Sequence, residues 1–224
     1  MLKQNMEQKI LDDQKKQWQD TFFEMPEMFG SEASTFAHKA AALFKREDRT
    51  KILELGCGQG RDTMHFARNG LKVYALDYST QGLAAIDKKA RELRVSRRIV
   101  TKVHDVRTPL PFADETFDAC YSHMLYCMAL KTSELEFLSD EIRRVLKPAG
   151  LNLYTVRNTT DPYYRTGIHR GEDLWEIDGG FIVRFFCRKK VEQLAKGYEI
   201  VEIEAFEEGE LLKKLYAVTL RKIR

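Results

Sequence analysis

The feature that most limits how this chain can fold is an alternation of short apolar runs with amphipathic segments, which begins at Lys51. The runs with the length of strands are 51–55, 72–76, 99–104, 117–122 and 151–157. The segments with apolar residues at helical spacing are 61–69, 81–93 and 134–146. Strands that alternate with helices indicate right-handed crossovers and a parallel sheet with helices on both faces.

The C-terminal tail has a different pattern. After a predicted helix at 188–195, apolar residues alternate with glutamates from Val201 to Ala205. Gly209 marks a turn, and a second alternating run includes Tyr216 and Val218. This pattern is typical of an antiparallel hairpin. The sequence therefore predicts an α/β fold with a seven-stranded, mostly parallel sheet that an antiparallel C-terminal hairpin closes.

The chain length of 224 residues is sufficient for one sizeable core, and nothing in the composition requires a second domain. We therefore expect a single domain over residues 1–224. Its predicted parts are an N-terminal helical segment (1–45), the alternating core (50–157), an irregular insert (158–186) and a closing helix and hairpin (187–224).

Composition limits the partners of this chain. The net charge is only +3 and basic residues lie beside acidic ones, which disfavours a polyanionic partner such as nucleic acid. Residues 1–19 lack the apolar stretch of a signal peptide, and no apolar run is long enough to cross a bilayer. No pair of the four cysteines has the close spacing of a metal motif. We expect a cytoplasmic protein without a metal site or a membrane partner, and the sequence leaves its oligomeric state open.

A glycine-rich loop, Glu54–Asp62 (ELGCGQGRD), joins the first predicted strand of the core to the helix that follows. Glycines allow a sharp turn at the carboxyl end of a strand and a close approach to a ligand. Asp77 ends the next strand, at the spacing of a carboxylate that binds ribose hydroxyls. The dinucleotide fingerprint needs a third glycine where Arg61 stands, so the loop disfavours NAD and indicates another adenosine-containing ligand.

The segment ELGCGQG (54–60) resembles the first motif of class I S-adenosylmethionine (SAM)-dependent methyltransferases. Further segments resemble the later motifs of that family in order, namely Asp77, 104–106, 117–122 and 144–150. The resemblance covers residues 50–157 and implies a Rossmann-like sheet, SAM as cofactor and S-adenosylhomocysteine as product. Within the family, the loop LGCGQGRD looks most like that of the tellurite-resistance and thiopurine-type small-molecule methyltransferases.

The resemblance also implies which residues bind the cofactor. The loop glycines would face the methionine part of SAM, and Glu54 would order the loop. Asp77 would bind the ribose hydroxyls, while Asp105 and Val106 would contact the adenine. The complete predicted set for the cofactor is Glu54, Gly56, Cys57, Gly58, Gly60, Asp77, Tyr78, Asp105, Val106 and Ser122.

Candidates for the acceptor side lie outside these motifs. The aromatic cluster at 22–29 precedes the glycine loop, and we expect the segment up to Gly30 to close over the cofactor as a lid. The insert mixes aromatic and cationic residues, which suit a pocket wall and an anionic acceptor. The predicted acceptor-binding residues are Phe29, His123, Tyr126, Tyr163, His169, Arg170 and Trp175. His169 and Tyr126 are also the candidates for a general base.

The sequence thus predicts a SAM-dependent methyltransferase that acts on a small-molecule acceptor by in-line transfer. Two alternatives remain open. A nucleic-acid methyltransferase is disfavoured because the segment DACYS (118–122) lacks the Asn/Asp-Pro-Pro-aromatic form used on nucleobase amines. A SAM-binding module without catalysis is disfavoured because the motifs are complete.

Overall fold

The structure, a computed structural model, describes residues 2–209 and 213–223, with side chains from Lys9 onward. Its helices are α1 (Leu2–Glu24), α2 (Thr35–Arg46), α3 (Arg61–Arg68), α4 (Thr80–Glu92), α5 (Thr132–Val145) and α6 (Arg188–Leu194). Its strands are β1 (Lys51–Leu55), β2 (Lys72–Asp77), β3 (Ile99–Val103), β4 (Phe117–His123), β5 (Leu146–Arg157), β6 (Ile168–His169), β7 (Leu174–Glu176), β8 (Ile182–Arg184), β9 (Tyr198–Glu208) and β10 (Lys213–Lys222).

The main sheet has the strand order β3-β2-β1-β4-β5-β10-β9. The first five strands in this order, β3, β2, β1, β4 and β5, run parallel to one another. β10 runs antiparallel to both β5 and β9. The predicted Rossmann-like sheet with an antiparallel hairpin is therefore confirmed. The strand order reverses between β1 and β4, and ligands bind outside the carboxyl ends of strands at such a point.

Helices cover both faces of the sheet because each face carries an apolar layer. On one face, Phe36, Phe66 and Ile86 from α2, α3 and α4 pack in the same buried cluster as Ile52 of β1. On the other face, residues of α5 and α6 such as Leu138 and Val191 form a second cluster with β4 and β5. These two layers fix the sheet between the helices and leave its carboxyl edge to the connecting loops.

Hydroxyl groups cap two of the helices that lead to this edge. The Ser34 Oγ accepts a hydrogen bond from the Ala37 N–H (3.1 Å), and the Ser79 Oγ accepts one from the Gly82 N–H (3.1 Å). Each bond satisfies one of the free N–H groups at a helix start. α2 therefore begins at Thr35 and α4 at Thr80, directly after β2 and the predicted ribose carboxylate.

Two segments differ from the prediction. β5 begins at Leu146, five residues earlier than the apolar run, because Leu146 pairs with Phe117 of β4. The insert at 158–186 has no sustained sequence period, yet it contains a small antiparallel sheet of β6, β7 and β8. These strands have two or three residues each, which is too short for a periodic pattern to be recognised. Among the described residues, no helix has the length and apolar content to cross a membrane.

Candidate functional site

The glycine loop lies at the carboxyl end of β1, beside the reversal of strand order. Gly58 and Gly60 have φ angles of +51° and +83°, which side chains with a Cβ rarely adopt. A Cβ on Gly60 would lie 2.4 Å from the Ile86 Cγ1. The loop therefore keeps its backbone close to α4 and to the sheet edge only because these positions are glycine.

Asp77 ties this loop to the end of β2. Its Oδ2 accepts a hydrogen bond from the Gly58 N–H (2.9 Å), and its Oδ1 accepts one from the Ser79 N–H (2.8 Å). Burial raises the pKa of Asp77, and the bonds from these backbone N–H groups partly offset that rise. The carboxylate thus stands between the glycine loop and the start of α4.

Glu54 and Cys57 support the loop from inside the protein. The Glu54 Oε2 accepts a hydrogen bond from the Thr63 hydroxyl (2.6 Å) in the first turn of α3. Burial, with the nearby charges of Asp62 and Asp77, raises the pKa of Glu54 well above its ordinary range. Burial also raises the pKa of the Cys57 thiol, which keeps it protonated and unreactive.

A cavity beside β2 brings together the residues predicted for the adenine. Tyr78, Asp105 and Val106 line it on the sheet side, and Trp18 of α1 lines it opposite them. The Arg107 guanidinium donates two hydrogen bonds to Asp105, at 3.0 Å from Nε and 2.8 Å from Nη2. Arg107 also contacts Asp12 of α1, so α1 is connected to the carboxylate of this cavity.

Ser122 stands at the end of β4 next to the glycine loop. Its hydroxyl is buried and has no hydrogen-bond partner among the described residues. An unpaired buried hydroxyl costs free energy, and such groups in native proteins often await a ligand or water. Together with the glycine loop and Asp77, it places polar groups at this edge of the sheet.

Helix α1 and the turn after it cover the glycine loop. The Gln59 side-chain amide donates to the Met25 carbonyl (2.8 Å), and Arg61 donates to the Phe29 carbonyl (3.3 Å). The Phe22 ring reaches within 3.4 Å of the position that a Cβ on Gly58 would take. Trp18 lies against Phe181 of the insert, with ring centroids 4.7 Å apart. The α1 helix therefore contacts both the glycine loop and the insert.

The predicted acceptor residues fall into different environments. Phe29 is half-exposed beside the glycine loop, where its ring lies 5.8 Å from the Arg61 guanidinium. The His123 Nε2 lies 3.0 Å from Glu208, and its Nδ1 lies 3.0 Å from the Thr155 hydroxyl. These residues stand at the carboxyl edge of the sheet, near the predicted cofactor residues.

Tyr126 lies elsewhere, and its placement does not support a catalytic role. The side chain is completely buried, and its ring stacks on Tyr154 with centroids 4.2 Å apart and planes within 5°. Burial raises the pKa of its hydroxyl. Tyr126 follows β4 in a short 3₁₀ turn that directs the ring into the core, which sequence spacing alone does not reveal.

Three candidates of the insert, His169, Arg170 and Trp175, make contacts with other insert residues. His169 is exposed, and its Nε2 lies 2.7 Å from the Glu172 carbonyl. The Arg170 Nε donates to Glu176 (2.7 Å), and Trp175 packs beside His169 with centroids 4.6 Å apart. Of the insert candidates, Tyr163 contacts the sheet edge, where its ring lies 5.0 Å from the Arg157 guanidinium. The placement of His169 on the outer side gives no support for a general base.

Two further groups of residues lie at or beside the site without a sequence motif that predicts their positions there. Asp62 accepts hydrogen bonds from the hydroxyls of Ser34 (2.9 Å) and Tyr121 (2.8 Å), and so it joins α2, α3 and β4 rather than facing a ligand. Glu208 and Lys213 face each other in the β9–β10 register, and Glu208 contacts His123 at the carboxyl edge of the sheet. The sequence predicts a turn at Gly209 between these two residues. It does not predict that the flanking strands bring them to the carboxyl edge of the sheet.

Comparison with known proteins agrees with this geometry. Residues 52–150 match the family described as Methyltransferase domain. A malonyl-[acyl-carrier protein] O-methyltransferase from Erwinia billingiae is 31% identical over 117 residues, which are 51% of this chain and 42% of that protein. The chain spans less than half the length of the curated relatives that it matches.

Two solved structures have the same architecture. The 1,6-didemethyltoxoflavin-N1-methyltransferase of Burkholderia thailandensis, bound to its acceptor and S-adenosylhomocysteine, has a TM-score of 0.72 and 16% identity, and covers 94% of this chain and 87% of its own. TehB from Haemophilus influenzae has a TM-score of 0.67 and 16% identity, and covers 92% of this chain and 67% of its own. At these identities the similarity establishes the fold.

Proposed function

We propose that this chain, which carries a class I SAM-dependent methyltransferase domain, transfers a methyl group from SAM to a small-molecule acceptor. The observation that carries the proposal is the arrangement around Asp77. A carboxylate at the end of β2 stands beside a glycine loop and an unpartnered buried hydroxyl, Ser122. This set of groups suits a ribose with a flexible polar chain, and it lacks the third glycine of a dinucleotide site.

In this proposal the residues of the site mainly bind and orient. Asp77 holds the ribose hydroxyls, Asp105 and Val106 contact the adenine, and Ser122 bonds the methionyl part. SAM, when bound, supplies a methyl group that its positive sulfur activates. Alignment of the acceptor with that methyl group provides much of the rate, because correct positioning lowers the barrier by about 7–11 kcal/mol in favourable cases.

We further propose that α1 is the lid of this site. The side chains of Trp18 and Phe22 face the adenine cavity and the glycine loop, respectively. Gln14 and Gln17 bond backbone carbonyls of the insert at Gly180 (3.1 Å) and Gly179 (2.7 Å). A lid held to both the loop and the insert excludes water from the reacting groups, as closing segments do in other enzymes.

The acceptor side is formed, in this proposal, by Phe29, His123 and Tyr163 at the carboxyl edge, with Trp175 behind them. The names of similar proteins state an O-methyl transfer to malonyl-[acyl-carrier protein] and an N1-methyl transfer to a toxoflavin precursor. The acceptor in the second name is a small molecule, whereas the malonyl group in the first is carried on a protein. The toxoflavin enzyme therefore supports a small-molecule acceptor, and the two names together do not select the methylated atom.

Calorimetric titration with S-adenosylhomocysteine tests the proposal. Asp77→Ala is expected to weaken binding by about tenfold to a hundredfold, because a hydrogen bond to a charged group contributes about 1.5–3 kcal/mol. Asp77→Asn, which keeps one oxygen acceptor, is expected to have a smaller effect. Asp114→Asn is the control, since Asp114 is largely exposed and pairs with Arg144 before β4, at the opposite edge of the sheet.

Equal affinities of the wild type and Asp77→Ala would disprove the ribose assignment. Binding of NAD in place of S-adenosylhomocysteine would disprove the family assignment for this site. Turnover of SAM with a panel of thiols, amines, carboxylates and tRNA then tests the acceptor class, and a strong preference for tRNA would contradict the small-molecule proposal.

A further inference from the structure

The β9–β10 hairpin brings a lysine to the carboxyl edge of the sheet. Lys213 is the first residue of β10 and stands opposite Glu208 in the antiparallel register. Because β10 runs antiparallel to β5 and Leu215 pairs with Arg157, Lys213 lies at the edge where β5 ends. The lysine therefore shares this edge with the glycine loop and His123, although no motif assigns it a role.

Lys213 does not form an ion pair with Glu208, although the strand register places the two residues opposite each other. Opposite charges that face each other across an antiparallel pair usually interact, and the neighbouring pair Lys214–Glu207 does so at 3.6 Å. Glu208 instead contacts the His123 Nε2 (3.0 Å) and accepts from the Thr35 N–H (3.3 Å). Within residues 2–209 and 213–223, the Lys213 ammonium makes no hydrogen bond or ion pair.

Charged groups of both signs surround Lys213. Lys213 is half-buried, and its Nζ lies 3.5 Å from the place that a Cβ on Gly209 would take. Burial and the nearby Arg157 and Arg61 guanidiniums lower the pKa of Lys213, and the carboxylates of Glu208 and Asp161 partly offset that fall. Arg157 is neutralised by Asp161 at 2.6 Å, so it needs no further anion.

Unlike Lys213, two cations of the insert form ion pairs with carboxylates. Arg170 pairs with Glu176 (2.7 Å from Nε), and the buried Arg184 pairs with Glu172. Each of these guanidiniums already has a carboxylate partner within the insert. These two insert cations are therefore already paired, and the Arg165 guanidinium packs over the Tyr164 ring, 5.1 Å from its centroid. Among the described residues, no carboxylate forms an ion pair with Lys213 at the sheet edge.

We propose that Lys213 binds an anionic group of the methyl acceptor, a carboxylate or a phosphate. A partly desolvated ammonium gains most from a charge-assisted hydrogen bond, and an anion would supply the partner that Glu208 does not. The inference rests on the proposed methyltransferase function and adds the chemical class of the acceptor: a small molecule that carries a compact anion near its reacting atom.

NMR titration of the isotope-labelled, S-adenosylhomocysteine-loaded protein tests the inference. Benzoate and benzamide have the same shape and differ in charge, and inorganic phosphate serves as a second anion. Benzoate is expected to shift the amide signals of Glu208 and Gly209 in a saturable way, and benzamide is not. Lys213→Met should weaken benzoate binding by about tenfold or more, because a charge-assisted bond is lost. Lys213→Arg should retain most of it.

Lys214→Met is the matched control, because Lys214 is the adjacent residue and has its own partner in Glu207. The inference is overturned if Lys213→Met binds benzoate as the wild type does, if benzamide binds equally well, or if neither benzoate nor phosphate binds. Calorimetry with S-adenosylhomocysteine on the same samples separates the two proposals. Cofactor binding without a preference for anions rejects only the role of Lys213, whereas absent cofactor binding rejects the proposed function.

Discussion

The proposed cofactor side and the proposed acceptor side of this protein are built from different kinds of contact. On the cofactor side, Gly58, Asp77 and Ser79 lie within about one βαβ unit of each other in sequence and bond through backbone N–H groups. On the acceptor side, His123 meets Glu208 of the hairpin, and Asp161 bonds Lys214 of β10. The first site depends on local spacing, and the second depends on how distant segments meet at the edge of one sheet.

This difference makes the acceptor side the more sensitive to loss of a single buried partner. Arg157 and Asp161 form a buried pair, and Asp161 also accepts from the Tyr163 N–H (2.9 Å) and the Lys214 N–H (3.0 Å). Asp161→Ala leaves a buried guanidinium without its counter-charge. We expect the free energy of unfolding, measured by urea denaturation, to fall by about 3–5 kcal/mol.

Glu176→Ala is the control for that experiment, because it breaks the more exposed pair with Arg170 and is expected to cost at most about 1 kcal/mol. At low urea, the folded Asp161→Ala protein should still bind S-adenosylhomocysteine, since Asp161 contacts no predicted cofactor residue. A loss of cofactor affinity equal to that of Asp77→Ala would show that the two sides are not separate.

A variant that removes the contact between α1 and the glycine loop tests the proposed cofactor side. Phe22 is 8% exposed and lies against Gly58, whereas its neighbour Phe23 is 71% exposed. We expect Phe22→Ala to speed the dissociation of S-adenosylhomocysteine by about tenfold, the equivalent of about 1.4 kcal/mol of lost contact. Stopped-flow dissociation measures this rate, and Phe23→Ala is expected to match the wild type. Equal rates in all three proteins would contradict the lid.

The smallest effect is expected at Tyr126, which belongs to neither side. Its buried hydroxyl makes no hydrogen bond of normal geometry to a described residue, so Tyr126→Phe should change the free energy of unfolding by less than about 1 kcal/mol. Tyr121→Phe provides the contrast, because its hydroxyl bonds Asp62 (2.8 Å) and its loss should cost about 1–3 kcal/mol.

Turnover distinguishes a structural Tyr126 from a catalytic one. Tyr126→Phe should release S-adenosylhomocysteine from SAM at the wild-type rate with any acceptor that the panel identifies. A loss of about tenfold or more with unchanged cofactor affinity would restore the general-base hypothesis.

How well the sequence predicts an element depends on whether the contacts that define it are local or distant along the chain. The bounds of β1 were predicted to the residue, and those of α3 and α4 to within one, because an apolar period, a glycine turn or a serine cap marks each of them. The insert was predicted as irregular because strands of two or three residues have no period. Tyr126 and His169 were candidates by position in the chain, and their side-chain directions depend on a 3₁₀ turn and a short hairpin.

The sequence by itself determined the fold class and predicted the cofactor side, because glycine spacing and a carboxylate at a strand end act within one βαβ unit. The acceptor side that we propose rests on contacts that only the tertiary structure reveals. The register of the β9–β10 hairpin places Glu208 opposite Lys213. The position of β4 brings His123 to Glu208, and Glu208 contacts His123 instead of Lys213. Side-chain pairing across strands depends on which edge a hairpin reaches, and that edge is set by the packing of the whole sheet.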